Sequence, residues 1–337
     1  MDRLTHDIFN LLRNEAIFFI SLILAVISCF FVPVNMDYFN YINWDTIILL
    51  LAIMIVVEIL KNLAVFEILV RKLLVKIADT RHLVLFLVFT CFFSSIFITN
   101  DVSLIIFVPF CILALKKVGR DDLIIFAVSL QTIAANVGCM VLPIGAPHNI
   151  VLYTAADIPF ELFFMILFPY ILVSLVFLAV LSVFVPKDSI DLPQLSKIEV
   201  SRENFFKRVF IGVDYYLLLT FICLFVLIGN LENIAFFSSL FGKWIVGNEV
   251  LCGVGLSQII SNVPAAMLLS GFSNNYAAII VGINIGGLGT LIASMANLIS
   301  YKILAREHKE FKIKYLCLFS ALNVILLIIL LGVYFLG

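Results

Sequence analysis

The chain has 337 residues, of which 64% are hydrophobic and 13% charged, with 21 Lys and Arg against 22 Asp and Glu. A soluble domain is about 45–50% apolar and about 25% charged, so a mean hydropathy of +1.19 excludes that class. The net charge of −1 is sorted into short clusters beside apolar runs, which excludes a nucleic-acid-binding surface.

Apolar runs of about 20 residues, enough to cross about 30 Å of hydrocarbon, recur along the chain, which reads as an all-α polytopic membrane protein. The first, Ala16–Val34, lacks an A-x-A-like end and is expected to be a span rather than a cleaved signal peptide. Residues 45–60 form the next, with Glu58 and Lys61 at its end expected to snorkel to water. Residues 62–78 carry Arg71, Lys72 and Lys76 and read as an amphipathic interfacial helix. Residues 82–98 and 102–115 flank "TND". Residues 122–156 are apolar but interrupted by "NVGCMVLPIGAPHN" at 136–149. A long span at 160–186 precedes the one long soluble stretch, 187–208. There follow 210–229, an interfacial 233–247, 249–261 and 264–272 around "SNVP", the pair 276–290 and 291–304, and a last span at 315–336. The seven cysteines form no C-x-x-C pair and read as small buried residues.

Lys and Arg accumulate on the cytoplasmic side of membrane proteins. With the N-terminus inside, and "TND" and "SNVP" as re-entrant hairpins, 20 of the 21 basic residues fall inside and only Lys243 outside. Three segments recur in order, as carriers built from inverted halves require. "NLAVFEILVRKLLV" from Asn62 resembles "NIAFFSSLFGKWIV" from Asn233. "FITNDVSLI" around Asn100 resembles "IISNVPAAM" around Asn262. "NVGCMVLPIGAPHNIVLY" from Asn136 resembles "NIGGLGTLIASMANLISY" from Asn284. In the last pair Gly138 matches Gly286, and Asn136 with Asn149 matches Asn284 with Asn297. The expected division is an N-terminal span, 1–44; a first inverted repeat, 45–160, with hairpin tip 99–101 and broken helix 136–149; a connecting span and cytoplasmic loop, 161–209; a second repeat, 210–305, with tip 261–264 and broken helix 284–297; and a C-terminal span, 306–337.

Irregular backbone at membrane depth is tolerated only where protein or a water-filled cavity surrounds it. Pro143 and Pro147 break helical hydrogen bonding. Gly138 and Gly145 allow unusual backbone angles and close approach. The break frees carbonyls that suit a cation, and a half-helix N-terminus that suits an anion. The asparagines add donors and acceptors to such a site, or serve as interhelical glue. Asp101, an acid at the centre of an apolar hairpin, reads either as a Na⁺ or H⁺ site or as the N-cap of 102–115. His148 could titrate near neutral pH or be a hydrogen-bonded structural residue. "GGLG" at 286–289 follows no strand and is no dinucleotide fingerprint. With no H-E-x-x-H, no G-x-S-x-G and no paired intramembrane acids, the chain is not expected to be an enzyme.

"FFSSIFITNDVSLIIFVPF", "NVGCMVLPIGAPHN", "SQIISNVPAAMLL" and "GINIGGLGTLIASMANLISY" resemble the ion transporter superfamily. That group includes the citrate, dicarboxylate and sulfate permeases (the divalent anion:sodium symporters), the arsenite/antimonite pumps and one Na⁺/H⁺ antiporter family. The resemblance covers roughly 45–305. It implies a secondary active transporter of a small anion, a di- or tricarboxylate such as citrate or an inorganic anion, coupled to Na⁺ or H⁺ by alternating access and using no other cofactor. In the dicarboxylate symporters both tips read Ser-Asn-Thr and bind sodium and a substrate carboxylate. The matching positions are Thr99, Asn100 and Asp101, then Ser261, Asn262 and Val263, so Asp101 and Val263 replace the two threonines. "TND" with "SNVP" is closer to the arsenite-pump branch, which keeps an arsenite/antimonite efflux permease and a Na⁺/H⁺ antiporter as alternatives. Candidate Na⁺ positions are Asn100 with Gly138 and Asn262 with Gly286. The resemblance further implies a homodimer in the bilayer, although those symporters are longer, and a bacterial cytoplasmic membrane.

Overall fold

The computed structural model describes residues 15–36, 38–65, 68, 77–190 and 204–336. Most of the expected amphipathic helix at 62–78, and 191–203 of the cytoplasmic loop, lie outside them. Among the described residues the regular secondary structure is helical, apart from one isolated bridge between Asp79 and Ser189, as a lipid solvent demands of any unpaired backbone. The helices are α1 (Ala16–Cys29), α2 (Tyr38–Tyr41), α3 (Trp44–Asn62), α4 (Thr80–Phe97), α5 (Asn100–Lys117), α6 (Ile124–Gly138), α7 (Pro147–Ala156), α8 (Phe160–Val183), α9 (Phe205–Gly212), α10 (Tyr215–Asn233), α11 (Ala235–Ile245), α12 (Glu249–Ile260), α13 (Asn262–Phe272), α14 (Tyr276–Gly286), α15 (Met295–Glu307) and α16 (Lys312–Leu336). Among the described residues, five helical segments are long and apolar enough to cross a membrane. The chain is an integral, polytopic membrane protein.

Two expectations shift. The first apolar run is helical only to Cys29 and not to Val34, because Pro33 disfavours the α conformation of the residue before it. The span expected at 210–229 is preceded by a separate short helix, α9, since Asp214 caps α10 by accepting from the Leu217 N–H at 2.9 Å.

The order of elements is the same in both halves: a helical hairpin, then an interrupted helix. In the first half the hairpin is α4–α5 and the interrupted helix α6–α7; in the second they are α12–α13 and α14–α15. Within each half the first hairpin arm packs along the first segment of the interrupted helix, α4 on α6 and α12 on α14. Between halves, α5 packs on α15 and α13 on α7. A large apolar core joins these helices to α8 and α16, and a smaller one, including Leu50, Ile150, Phe221 and Met267, joins α3 and α10 to α7 and α13. The outer faces of α1, α8 and α16 expose Ile23, Met165, Val176 and Ile328, the residues a lipid-facing surface requires.

Candidate functional site

The polar centre is built from interruptions. In the first half α6 ends at Gly138, residues 143–145 form a short 3₁₀ turn, and α7 starts with Pro147 as its first residue, where a missing N–H costs nothing. In the second half α14 ends at Gly286 and α15 begins at Met295, with Gly289 between them at φ +115°.

The four paired asparagines cross-link these breaks. Asn136 Nδ2 donates to Asn297 Oδ1 at 2.7 Å, and Asn284 Nδ2 donates to Asn149 Oδ1 at 2.7 Å. Asn149 donates to the Cys139 carbonyl and Asn297 to the Gly287 carbonyl, each at 3.0 Å. The first asparagine of each half therefore pairs with the second of the other, and each second asparagine tethers its own break. All four are buried, so these bonds replace water that is absent. The first hairpin joins the network through Asn100 Nδ2, 3.0 Å from Asn136 Oδ1, and Ser294 Oγ donates to the same oxygen at 3.2 Å.

Gly138 and Gly286 serve close approach. A Cβ on Gly138 would lie 2.2 Å from Ser95 Oγ and from the Phe92 carbonyl, and one on Gly286 would lie 2.8 Å from Ser257 Oγ. The serines belong to the first hairpin arms, so each glycine lets its hairpin lie against its interrupted helix. The unusual backbone angles expected of Gly138 and Gly145 are not adopted; among the described residues the glycines with positive φ are Gly119, Gly247 and Gly289. Gly145 packs against Cys139, whose carbonyl would lie 2.6 Å from an added Cβ.

Thr99 and Ser261 stand at the hairpin tips, immediately before α5 and α13. Ser261 takes φ +72°, ψ 157°, a strained conformation for a residue with a Cβ. Asp101 is not an N-cap: α5 begins at Asn100, Thr99 is the cap residue, and Asp101 Oδ1 is buried with no hydrogen-bond partner. The tip instead turns inward, and the Asp101 N–H donates to Asn100 Oδ1 at 3.0 Å.

A cleft of about 10 Å³, room for one water, is walled by the first residues of four helices: Asn100 and Asp101 of α5, Pro147 and His148 of α7, Asn262 and Val263 of α13, and Met295 of α15 with Ser294 before it. None of these four helices has a side-chain N-cap, which is equally true of α1, α6, α8, α9, α11 and α12, so what sets the four apart is that their starts meet at one cleft. Four helix starts meeting at one cleft place positive dipole ends there, beside the Asp101 carboxylate and with the Asp101 and Asn262 N–H groups already donating to Asn100 Oδ1 and the Ala293 carbonyl. Asp101, Pro147 and Met295 also wall a wider cavity of about 250 Å³, which runs between α3 and α10 to Glu58, Lys61 and Asp214.

Glu58 does not snorkel. It is buried, accepting from Lys61 Nζ at 2.7 Å and Asn62 Nδ2 at 3.2 Å, because α9 closes over it with Gly212 against its carboxylate.

Known proteins share sequence with the chain over most of its length. The sequence model of the family described as "Citrate transporter" matches residues 8–278. The chain belongs to that family. A protein of Methanocaldococcus jannaschii named as an uncharacterized transporter is 32% identical, over 88% of this chain and 90% of its own length. The inner membrane protein YbiR of Escherichia coli is 28% identical, over 87% and 88%. A putative transporter arsB of Dictyostelium discoideum is 33% identical over a shorter stretch, 37% of this chain and 22% of its own. This member of the citrate transporter family is therefore a membrane transporter and not an enzyme.

Three residues of its centre escaped the sequence reading. Ser294 carried no signal, being one serine among apolar residues. Glu58 looked like a span terminus, and only the packing of α9 buries it. Gln258 does carry a signal, an amide in an apolar run four residues before Asn262.

Proposed function

We propose that the chain is a secondary active transporter that moves a small anion, a di- or tricarboxylate such as citrate or an inorganic anion, across a bacterial cytoplasmic membrane. Transport is coupled to Na⁺ or H⁺ and proceeds by alternating access. The observation that carries this reading is the convergence of four helix starts on one buried cleft. No Lys or Arg lines the cleft, so helix dipoles and a co-bound cation would balance the substrate's charge. Asn100 and Asn262 are the central ligands, with Thr99, Ser261 and backbone groups near Gly138–Gly145 and Gly286–Ala293 beside them. Asp101, whose Oδ1 is buried and unpartnered, fits the coupling cation.

In this reading 45–160 and 210–305 are inverted repeats, their hairpins re-enter from opposite faces, and the N-terminus is cytoplasmic. The cavity ending at Glu58, Lys61 and Asp214 then opens to the cytoplasm. A cleft of about 10 Å³ is too small for citrate, so the tips must separate to admit it, which is a conformational step of the cycle.

One observation favours a second reading. The wider cavity carries Glu58, Asp101 and Asp214 against Lys61 alone, and that excess of acid suits a cation or an uncharged hydroxide better than a trianion. Efflux of arsenite or antimonite, or Na⁺/H⁺ exchange, would meet it.

The test is uptake of radiolabelled citrate and succinate into liposomes holding the purified protein, under an inward Na⁺ or proton gradient. Gradient-dependent accumulation is expected, and loss of it in Asn100→Ala and Asn262→Ala proteins that remain folded. Full activity in either variant would remove the tips from the site. Failure to accumulate carboxylates, with arsenite resistance conferred on sensitive cells, would select the second reading.

A further inference from the structure

The break after α14 leaves carbonyl groups that no helical N–H can reach. Gln258, on the first arm of the second hairpin, fills that gap. Its two Nε2 hydrogens serve the Gly286 carbonyl at 2.8 Å and the Leu288 carbonyl at 3.0 Å, with the Val254 carbonyl of its own helix, one turn back, at 3.2 Å. Its Oε1 accepts from the Thr290 N–H at 2.8 Å. The opposite demands of these partners fix which end of the amide is nitrogen. The loop is moulded to this side chain: Gly289 takes φ +115°, and a Cβ there would stand 2.5 Å from Gln258 Oε1.

Two carbonyl oxygens of the break, Gly286 and Leu288, turn toward one centre, the kind of ligand an unwound helix offers a monovalent cation. Here the centre is an amide nitrogen, which carries positive hydrogens to the same oxygens. Gly286 was an expected cation ligand, and its carbonyl is spoken for. In the first half the residue four before the tip is Ile96, which has no polar group. The Gly138 carbonyl there accepts from the Val141 N–H at 3.1 Å and the Cys139 carbonyl from Asn149. Among the described residues no hairpin side chain donates to a backbone carbonyl of that break; Asn100 reaches only the Asn136 side chain. The first tip instead holds the unpartnered Asp101 Oδ1.

We propose that Gln258 is a built-in substitute for a coupling cation. Its amide ties the second broken helix to the second hairpin, and the carrier keeps at most one cation position, in the first half at Asp101. Residue and ion compete for the same oxygens, so the second position is closed while Gln258 stands. The inference rests on the reading of the protein as a cation-coupled carrier, but its test reads binding and not transport.

The experiment counts ²²Na⁺ bound per chain for protein in nanodiscs and follows melting temperature in NaCl against choline chloride. The wild type is expected to bind no more than one Na⁺, and Asp101→Asn none. Gln258→Glu places a carboxylate among the carbonyls, where a proton or a cation relieves the repulsion, so the count is made at alkaline pH, where the cation is favoured. In an Asp101→Asn background it should restore one bound Na⁺ and a melting temperature that rises with Na⁺. Two Na⁺ per wild-type chain overturn the proposal, whatever the variants do, as does a folded double variant that binds none. If Gln258→Glu does not fold, the wild-type count decides alone. A proton-coupled carrier gives a wild-type count of zero with the same gain in the double variant. A wrong choice of substrate or coupling ion is thereby distinguished from a wrong role for Gln258.

Discussion

The two interrupted helices reach the same asparagine geometry by different local means. The first is broken by covalent constraint: Pro143 and Pro147 remove two N–H groups, and a 3₁₀ turn with its own backbone bonds fills the gap. The second has no proline between Gly286 and Met295. It is held open by side chains, Gln258 on Gly286, Leu288 and Thr290, and Asn297 on Gly287 and Thr290. What both halves require is the crossed asparagine pairing; what breaks the helix is interchangeable. A break written into the backbone stays open by itself, whereas one held by hydrogen bonds can close or shift. The second half is thus the more adjustable of the two, and amide hydrogen exchange should be faster at 287–294 than at 139–146.

The largest effect that distinguishes the halves falls on the asparagines. Asn136 Oδ1 accepts two hydrogen bonds and its Nδ2 donates one. Asn284 Nδ2 donates to Asn149 and the Ile280 carbonyl, while its Oδ1 has no partner. Each buried group left unpaired costs about 1–3 kcal/mol. Asn136→Ala should lower stability by several kcal/mol and Asn284→Ala by roughly half of that, read as melting temperatures in detergent. Equal losses would mean that the network is shared rather than centred on the first half.

Next comes glycine packing. Gly138→Ala brings a methyl to 2.2 Å from the Phe92 carbonyl and Ser95 Oγ, whereas Gly286→Ala brings one to 2.8 Å from Ser257 Oγ and 2.9 Å from the Gly253 carbonyl, the same kinds of neighbour at a less severe distance. Overpacking of this kind costs about 1–3 kcal/mol. The first substitution should sit at or above the top of that range and the second near its bottom, with transport lost in the first. A tolerated Gly138→Ala would show that α4 can retreat from α6, contrary to a fixed first half.

The symmetry of the centre was legible because its makers are chemically conspicuous. Asparagines, prolines and glycines inside apolar runs have few other reasons to be there, and their 13-residue spacing recurs. The unequal hairpins were less legible. The first has arms of 18 residues each, the second of 12 and 11, and apolar runs alone do not say where a helix ends. The burial of Glu58 and the capping by Gln258 depend on which helix lies alongside, and local pattern does not encode that.

The tips differ in strain, and the expected effect is about 1 kcal/mol. Ser261 holds φ +72°, whereas Thr99 holds φ −56°. Glycine adopts positive φ freely, so Ser261→Gly should raise stability by about 1 kcal/mol. Thr99→Gly should lower it by about 0.5–1 kcal/mol, through added freedom of the unfolded chain. If Ser261 is also a ligand, its glycine variant will be more stable and less active. Stabilisation with full transport would leave strain as the tip's one distinguishing property.

The smallest effect concerns how the hairpins are anchored. The base of the first is tied to the end of α8: Thr80 Oγ1 donates to the Pro186 carbonyl at 2.5 Å, Arg81 Nε to the Val185 carbonyl at 2.9 Å, and the Ile190 N–H to the Ala78 carbonyl at 3.0 Å. Arg120, at the far end of α5, extends the tie by pairing with Asp122 at 2.8 Å and with Asp188. The second hairpin closes on itself, Ser273 Oγ donating to Glu249 Oε1 at 2.8 Å. Both aspartates of the Arg120 cluster are mostly exposed, so water and salt screen the pairs. Arg120→Ala should therefore cost about 0.2–1 kcal/mol, less in high salt, because the backbone ties beside it persist. A larger, salt-independent loss, measured by melting in low and high NaCl, would mean that the cluster fastens the first hairpin to α8. The first half would then be rigid by attachment as well as by proline.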